Sequence, residues 1–339
     1  MSAAPAAERG GATAALARAY LYSELSADDR AAAEGALIML LDDPSPVVRA
    51  ELARALAFSE DAPPAVILGL ANDQPDIASW VMKYSPLLLD ADLVELVATG
   101  TAAAQVAIAR RASLPPPASA ALAEVGAAEA CLVLLENPRA EIVPLSLRRM
   151  AERYGHLAAI REAMLLREDL PAAVRQVLVE NLSETLARFV SARSWLEPDR
   201  AQRITREACE KATVTLAAAS SERELGPLIQ HLRESGQLNA GLVLRALLSG
   251  HLEMFLAALA ELCDLPIARV SAVVYDDDGS GFRALFDKAG FHLEAIRLSV
   301  QHSRPCVRAA LTWAAPSGSS GASSSECLRV VPRKTTAWM

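Results

Sequence analysis

The first half of the chain repeats one pattern of apolar and polar positions. In five segments, an apolar stretch with helical spacing is followed by a short turn, usually polar or containing proline, and then by a second amphipathic stretch. Alignment on Val48, Ile77, Val106, Ile142 and Val174 gives spacings of 29, 29, 36 and 32 residues. A period of this size is typical of a pair of helices. The pattern therefore predicts a series of helical pairs.

The turn of the first segment shows how each second helix is expected to begin. Asp42 or Asp43 can accept hydrogen bonds from free backbone donors, and Pro44 and Pro46 favour a turn or a first helical position. A pair of short helices cannot bury its apolar stripe alone, so such pairs stack on one another. The predicted fold is all-α, with a solenoid similar to those of HEAT and armadillo repeat proteins.

One turn also carries a sequence signature. The stretch "DPSPVVR", which ends at Arg49, resembles the HEAT-repeat signature, in which a buried Asp and a buried Arg tie neighbouring repeats together. The resemblance implies that Arg49 and the corresponding Arg110 and Arg175 hold turns. We favour this structural role over ligand binding for all three.

The pattern changes from about Asn181. The helices become longer and carry charges of both signs three and four residues apart, with a break at Trp195 and Pro198. A compact apolar block follows, in which Asn239, Gly250 and Pro266 separate further predicted helices. The stretch after Trp313 is of low complexity. The predicted parts are helical repeats at 12–190, a smaller helical C-terminal domain at 191–312 and a disordered tail at 313–339.

Composition supports helices and disfavours two classes of partner. Hydrophobic residues make up 52% of the chain and aromatic residues only 4%, which is typical of packed helices. The formal net charge of -8 offers no basic field for nucleic acid. The N-terminal sequence has no secretory signal pattern, and no stretch approaches about 20 apolar residues. We therefore expect a cytoplasmic protein without membrane insertion or nucleic-acid binding.

The order of several stretches resembles one known family. These are "LARAYLYSELSADDRAAAEGALIMLLDDPSPVVRAELARALA", "SPLLLDADLVELVATG", "AIARRASLP", "LLENPRAEI" and "GQLNAGLVLRALLSGHLEMFLAALAEL". Together they are similar to the alphaproteobacterial family called domain of unknown function 2336, over roughly residues 15–300. The resemblance implies a cytoplasmic helical-repeat protein. It transfers no catalytic residue to this chain.

No pattern in the sequence indicates catalysis or a cofactor. There is no phosphate-binding loop, dinucleotide fingerprint, nucleophile elbow or zinc-protease motif. The five cysteines are far apart and form no C-x-x-C pair, so we expect reduced thiols. His292, His302 and Cys306 match no standard zinc spacing. We predict a protein that is not an enzyme and binds no cofactor.

An acidic stretch, "YDDDGSGF" at residues 275–282, partly fits a calcium-binding loop. Asp276, Asp278, Ser280 and Gly281 occupy the expected positions, but the last ligand would be the short Asp287. The apolar residues after Gly281 follow helical spacing, which predicts a helix from about Gly281 with Ser280 as its N-cap. We favour a turn between helices, and calcium binding by the loop at 276–281 is the alternative.

The favoured function is a non-catalytic scaffold or adaptor that mediates protein-protein interaction. The concave face of a solenoid binds an extended peptide or a helix of a partner protein. Arg54, Trp80, Lys83 and Tyr84 are the candidate partner contacts, although core positions for both aromatic rings are favoured over exposed ones. The alternative function is a ligand-sensing module that binds a nucleotide messenger or a divalent metal. The sequence leaves the partner, the pathway and the oligomeric state open.

Overall fold

The computed structural model describes residues 4–275 and 280–291. These residues form eighteen α-helices and no strand, which confirms the predicted all-α class. The first nine helices are α1 (Ala6–Tyr22), α2 (Ala27–Met39), α3 (Pro46–Leu56), α4 (Pro64–Ala71), α5 (Pro75–Tyr84), α6 (Asp90–Thr99), α7 (Ala102–Ala109), α8 (Pro116–Val125) and α9 (Ala128–Glu136). The others are α10 (Pro144–Tyr154), α11 (Ala158–Leu165), α12 (Ala172–Ala192), α13 (Pro198–Ala219), α14 (Glu222–Glu234), α15 (Ala240–Leu248), α16 (Leu252–Cys263), α17 (Ile267–Val274) and α18 (Ser280–Lys288).

Internal contacts group the chain into two compact units, Met1–His231 and Leu232–Met339. The division falls inside α14, whereas the domain limit predicted from the sequence lies at residue 190. The long helix α12 runs past residue 190 and packs along α13, which keeps both helices in the first unit. The predicted limits 12–190 and 191–312 stay predictions, and the tail at 313–339 lies outside the described residues.

Alternate helices of the first unit pack against each other. One row contains α1, α3, α5, α7, α9 and α11, each in contact with the next. The other row contains α6, α8, α10 and α12 in the same order, and α2 contacts α4. Between the two rows lies one continuous apolar core, which extends from Ala17 to Leu178. Each short helix therefore buries its apolar stripe against neighbours two places away in the chain.

The five aligned positions of the sequence pattern fall in both rows. Val48, Ile77 and Val106 lie in α3, α5 and α7, whereas Ile142 immediately precedes α10 and Val174 lies in α12. The longest spacing, from Val106 to Ile142, contains both α8 and α9 and so advances by three helices instead of two. The sequence alignment therefore combined helices of two different rows.

Proline marks the start of many helices, as the sequence indicates. It occupies one of the first positions of α3, α4, α5, α8, α10 and α13, where a missing backbone N–H leaves no bond unmade. In the C-terminal unit, the Asn239 side chain caps α15 by accepting a hydrogen bond from the Leu242 N–H at 3.0 Å. Gly250, at φ +81°, allows the tight turn before α16. The predicted separators thus lie between helices.

Side chains tie several helices to the one two places earlier. Their donors bond carbonyl groups near helix C-termini, where the last carbonyl groups lack a donor four residues later in the helix. The pairs are Arg111 with Met82 and Ser85, Asn137 with Ala109 and Arg111, Arg153 with Ala123 and Gly126, Arg167 with Leu135, and Asn181 with Ala151. The partners are 26 to 32 residues apart, which is close to the spacing of the sequence pattern.

The arginines predicted to hold turns have different outcomes. Arg49 donates to both carboxylate oxygens of Asp73, at 2.6 and 3.0 Å, and to the Asp43 carbonyl at 2.6 Å, which confirms its structural role. The prediction for Arg110 is wrong, because its side chain is exposed and the buried neighbour Arg111 makes the hydrogen bonds. Arg175 is half-buried, and its charge contributes to a lowered pKa of Glu224, after the stronger effect of hydrogen bonds from Ser221.

The C-terminal unit has its own apolar centre. Phe255 of α16 lies 6.3 Å from Phe286 of α18 between ring centroids, and both rings are fully buried. At its surface Arg233 binds the carboxylates of Glu261 and Asp264 at 3.0 and 2.9 Å. This unit is thus held by aromatic packing within and ion pairs outside. Within the described residues of both units, no helix combines the length and the apolar character needed to cross a membrane.

Candidate functional site

The four side chains predicted as partner contacts lie together on the row that contains α3 and α5. The rings of Trp80 and Tyr84 are 5.6 Å apart between centroids. The Arg54 guanidinium carbon lies 5.6 Å from the centre of the Trp80 ring, and the Lys83 Nζ lies 4.7 Å from the centre of the Tyr84 ring. Both distances are within the range of cation–π attraction. Their role in partner binding stays a prediction, but the four side chains are adjacent and form one continuous surface.

Both aromatic side chains are intermediate in burial, between the core position and the exposed position that the sequence analysis considered. Trp80 and Tyr84 are half-buried, and Trp80 packs against the apolar core of the first unit. On the same helix Ile77, Val81 and Met82 are buried and form the core stripe. Trp80 and Tyr84 therefore flank that stripe, with one side toward the core and the other toward solvent.

An open cleft of about 600 Å³ extends from these residues toward α7 and α9; it is called the aromatic cleft here. It is lined by Ser79, Trp80, Lys83, Tyr84, Ala103, Val106, Ala107, Arg110 and Glu129. Its volume lies within the range of about 300 to 1,000 Å³ that is usual for ligand sites. The lining combines small side chains of α7 with longer aromatic and charged side chains.

Sequence reasoning missed two residues of this surface. Phe58 follows the end of α3 and is 62% exposed, although its ring lies only 4.5 Å from that of Tyr84 between centroids. Arg110 lines the cleft, whereas the sequence assigned it to a turn. Phe58 is conspicuous in the sequence as an aromatic residue in the polar stretch "FSED". Its position beside α5, however, depends on how α3 and α5 stack.

The charges of the aromatic cleft are unbalanced. Arg54 is paired with Glu51 of its own helix at 2.6 Å, and both side chains are exposed. Lys83 and Arg110 have no carboxylate within ion-pair distance among the described residues. Glu129 is the acidic residue of the lining. The lining thus contains two cations and one anion beside two aromatic rings, a net charge of +1 in a chain whose net charge is -8.

The other predicted ligand positions give no support for a metal site. Among the residues that the structure describes, no group of three or more His, Cys, Asp or Glu side chains could hold an ion. Asp276 and Asp278 lie outside the described residues, as do His292, His302 and Cys306. The predicted helix after the acidic stretch is present as α18, which begins at Ser280. A helix from that position replaces the extended chain that a calcium loop needs there.

A buried polar network joins α12, α13 and α14. Gln176 is fully buried, accepts a hydrogen bond from the Thr213 hydroxyl at 3.0 Å and donates one to Glu180 at 3.1 Å. The same Glu180 oxygen lies 3.3 Å from Nε2 of the buried His231. Burial raises the pKa of the nearby Cys209 thiol. The network pairs Gln176, Thr213 and Glu180 between helices, whereas Nδ1 of His231 has no hydrogen-bond partner among the described residues.

One comparison with known proteins gives a match. A family model described as an uncharacterised protein conserved in bacteria, DUF2336, matches residues 77–310. This range covers well over half of the chain and begins within α5, so it includes Trp80, Lys83 and Tyr84 but not Arg54 or Phe58. Comparison with curated proteins and with solved structures finds no match.

Proposed function

Because the chain belongs to the DUF2336 family, whose description assigns no activity, we propose a function from its own geometry. The protein is a non-catalytic scaffold or adaptor, and its aromatic cleft holds an acidic segment of a partner protein. In this proposal the two rows of stacked helices form a solenoid of the HEAT type, and the odd-numbered helices provide its binding face. The cytoplasmic location expected from the sequence is part of the same proposal.

The observation that carries the proposal is the aromatic cleft itself. Partner-binding surfaces are enriched in tryptophan, tyrosine and arginine, and the residues that dominate affinity lie in well-packed pockets. Trp80 is held in place by the core behind it, so little rotamer freedom is lost when a partner covers it. A peptide side chain can enter the cleft above the small residues of α7 while its backbone crosses the row.

The charge of the cleft selects an acidic occupant. Lys83 lies on α5 and Arg110 follows α7, and both line the cleft. Carboxylates of a bound segment would compensate both cations without displacing an existing ion pair. The attraction would also speed association with an acidic partner and would weaken with added salt.

The geometry favours a peptide over a nucleotide in this cleft. A nucleotide base needs a free aromatic face, but the rings of Trp80 and Tyr84 already carry Arg54 and Lys83 against them, and Phe58 packs on Tyr84. The ligand-sensing function stays a prediction from the sequence. Its acidic stretch at 276–279 lies outside the described residues.

A capture experiment tests the proposal. The purified full-length protein is immobilised and exposed to a lysate of a bacterium that encodes it, and bound proteins are identified by mass spectrometry. The variant Lys83→Glu with Arg110→Glu should capture the partner at least about tenfold less, because two attractions become repulsions. The matched control is Arg139→Glu with Arg269→Glu, which reverses two exposed cations elsewhere.

Three results decide the outcome. A partner that is captured by the wild type and the control, is lost with the cleft variant and contains an acidic segment that binds as a synthetic peptide supports the proposal. Equal capture by all three proteins contradicts it. The absence of any reproducible partner contradicts it as well. Thermal unfolding of the variants must match the wild type, since both cleft substitutions are at solvent-accessible positions.

A further inference from the structure

The two longest helices of the first unit form a hairpin with an unusual outer half. The helix α12 has 21 residues and α13 has 22, and the two pack along each other. The inner half of the pair carries the buried network around Gln176 and Thr213. In the outer half, residues 182–208, Ala201 is the one buried residue. This segment, called the outer hairpin here, lacks the core that stabilises the rest of the unit.

The outer hairpin exposes a regular apolar stripe. Leu182, Leu186 and Phe189 follow each other at intervals of four and three residues and are 40%, 47% and 46% exposed. This is the spacing of a seam between two supercoiled helices. Trp195 extends the stripe at the tip, where its ring lies 5.8 Å from that of Phe189 between centroids. A two-helix hairpin with such a seam buries too little apolar surface alone.

We propose that the outer hairpin is a homodimer interface, in which α12 packs against α12 of a second copy of this chain. The spacing of the stripe fits another helix as the occupant. Because the stripe can pack against an identical stripe, α12 of a second copy can be that helix. Two hairpins joined in this way make a four-helix arrangement, a common solution for helices with one apolar face. The interface is separate from the aromatic cleft and does not depend on the proposed partner.

Charge favours a second copy as the occupant. The outer hairpin, residues 182–208, has five basic and four acidic side chains and a net charge of +1, whereas the whole chain carries -8. Two copies can therefore approach through this segment with far less repulsion than the net charge of the whole chain would give. The positions beside Leu186, which are Ser183, Thr185 and Ala187, are uncharged, so no like charges meet along the seam.

Arg193 selects the antiparallel orientation. Its guanidinium carbon lies 4.8 Å from the centre of the Phe189 ring and 5.7 Å from that of Trp195, at the outer end of the stripe. Parallel helices would bring the two Arg193 side chains together. An antiparallel pair centred beside Leu186 places Leu182 against Phe189 of the second copy and separates the two arginines by about 22 Å along the axis, at 1.5 Å per residue.

The oligomeric state of the full-length protein tests this inference. Sedimentation equilibrium of the wild type should give the mass of a dimer at micromolar concentration. Leu186→Glu should raise the dimer dissociation constant at least about a hundredfold, because the substitution occurs on both sides of a two-fold interface and places carboxylates in an apolar seam. The matched control Leu145→Glu, at a leucine of α10 that is 74% exposed, should leave it unchanged.

Leu182→Glu serves as the second variant, and circular dichroism verifies the folding of all three. A wild type that is monomeric throughout the micromolar range overturns the inference, and so does a dimer that persists in both α12 variants. Loss of the dimer in the Leu145→Glu control also overturns it, since the interface would then lie elsewhere.

Cross-linking tests the orientation. A mixture of Leu182→Cys and Phe189→Cys copies should form more mixed disulfide dimers on mild oxidation than either variant forms alone, because these positions face each other in the antiparallel pair. Predominant cross-linking of each variant with itself would overturn the antiparallel arrangement. Variants of Lys83 and Arg110 should leave dimerisation unchanged, so failure of the scaffold proposal and failure of this inference remain distinguishable.

Discussion

Replacement of Arg111 by methionine should destabilise the first unit, whereas the same replacement of Arg110 should not. The Arg111 guanidinium donates to the Met82 carbonyl at 2.6 Å and to the Ser85 carbonyl at 2.7 Å, at the end of α5. Its side chain is buried, and burial lowers the pKa of Arg111. Arg110 is exposed at the aromatic cleft. Two adjacent arginines thus provide a matched pair.

The expected magnitude follows from the two hydrogen bonds. Removal of a charged donor leaves each buried acceptor without its partner, at roughly 1–3 kcal/mol per group. Relief of the burial of a charged guanidinium offsets part of this loss, because a buried charge itself opposes folding. We therefore expect Arg111→Met to lower the free energy of unfolding by about 2–4 kcal/mol, and Arg110→Met to change it by less than about 0.5 kcal/mol.

Urea unfolding followed by circular dichroism measures both variants against the wild type. Since the chain has two units, the transition of the first unit is assigned by fluorescence in a background with Trp195, Trp313 and Trp338 replaced by phenylalanine, where Trp80 of the first unit is the remaining tryptophan. Equal stability of the wild type and Arg111→Met would refute the assignment of Arg111 as the residue that holds α5. A larger loss for Arg110→Met would restore the expectation from the sequence.

Three further predictions concern ionisation, thiols and the helix ties. A hydrogen bond from Arg9 lowers the pKa of Asp43. Burial alone would raise the pKa of Asp73, but hydrogen bonds from Arg49 and from the Gln74 backbone outweigh burial, so the pKa of Asp73 is lowered as well. These carboxylates contribute stability above about pH 4, and this stability is lost as the pH falls through their folded-state pKa values. The double variant Asp43→Asn with Asp73→Asn should therefore show a weaker dependence of stability on pH in acid unfolding followed by circular dichroism. Burial raises the pKa of the Cys131 thiol to about 11, so iodoacetamide at pH 8 should modify the half-buried Cys209 before Cys131, as peptide mass spectrometry can measure. Asn137→Ala, which removes two hydrogen bonds to carbonyls between α7 and α9, should lower the free energy of unfolding by about 1–3 kcal/mol in urea titration.

Local sequence patterns predicted local structure well. The helix start at Pro46, the break at Pro198, the separation of helices at Asn239 and the helix after the acidic stretch all depend on a few neighbouring residues. Proline and cap residues act through their own backbone geometry, so stacking does not change their effect. The all-α class follows from the same signals summed along the chain.

The pairing of helices could not be predicted in the same way. A spacing of 36 residues between Val106 and Ile142 fits one long pair or a step of three short helices, and only the contacts of α8 and α9 distinguish the two. For the same reason, the sequence predicted that Arg110 holds the turn, whereas Arg111 does so in the structure. Both residues follow Ala109, the last residue of α7, so the direction of each side chain depends on how the chain leaves the helix.

The candidate sites show what helical periodicity can and cannot distinguish. Trp80 and Tyr84 are four residues apart, so their proximity is predictable, whereas the approach of Phe58 depends on the stacking of α3 and α5. Leu182, Leu186 and Phe189 have the spacing of a core stripe, yet they are exposed because α12 extends beyond the helices that cover its inner half. The same pattern thus belongs to a core when a neighbour within the chain covers it and to an interface when none does. Because α12 is longer than the neighbouring helices α10 and α11, its outer part is left uncovered by the chain itself. The absence of proline and glycine from Ala172 to Ala192 allows this length.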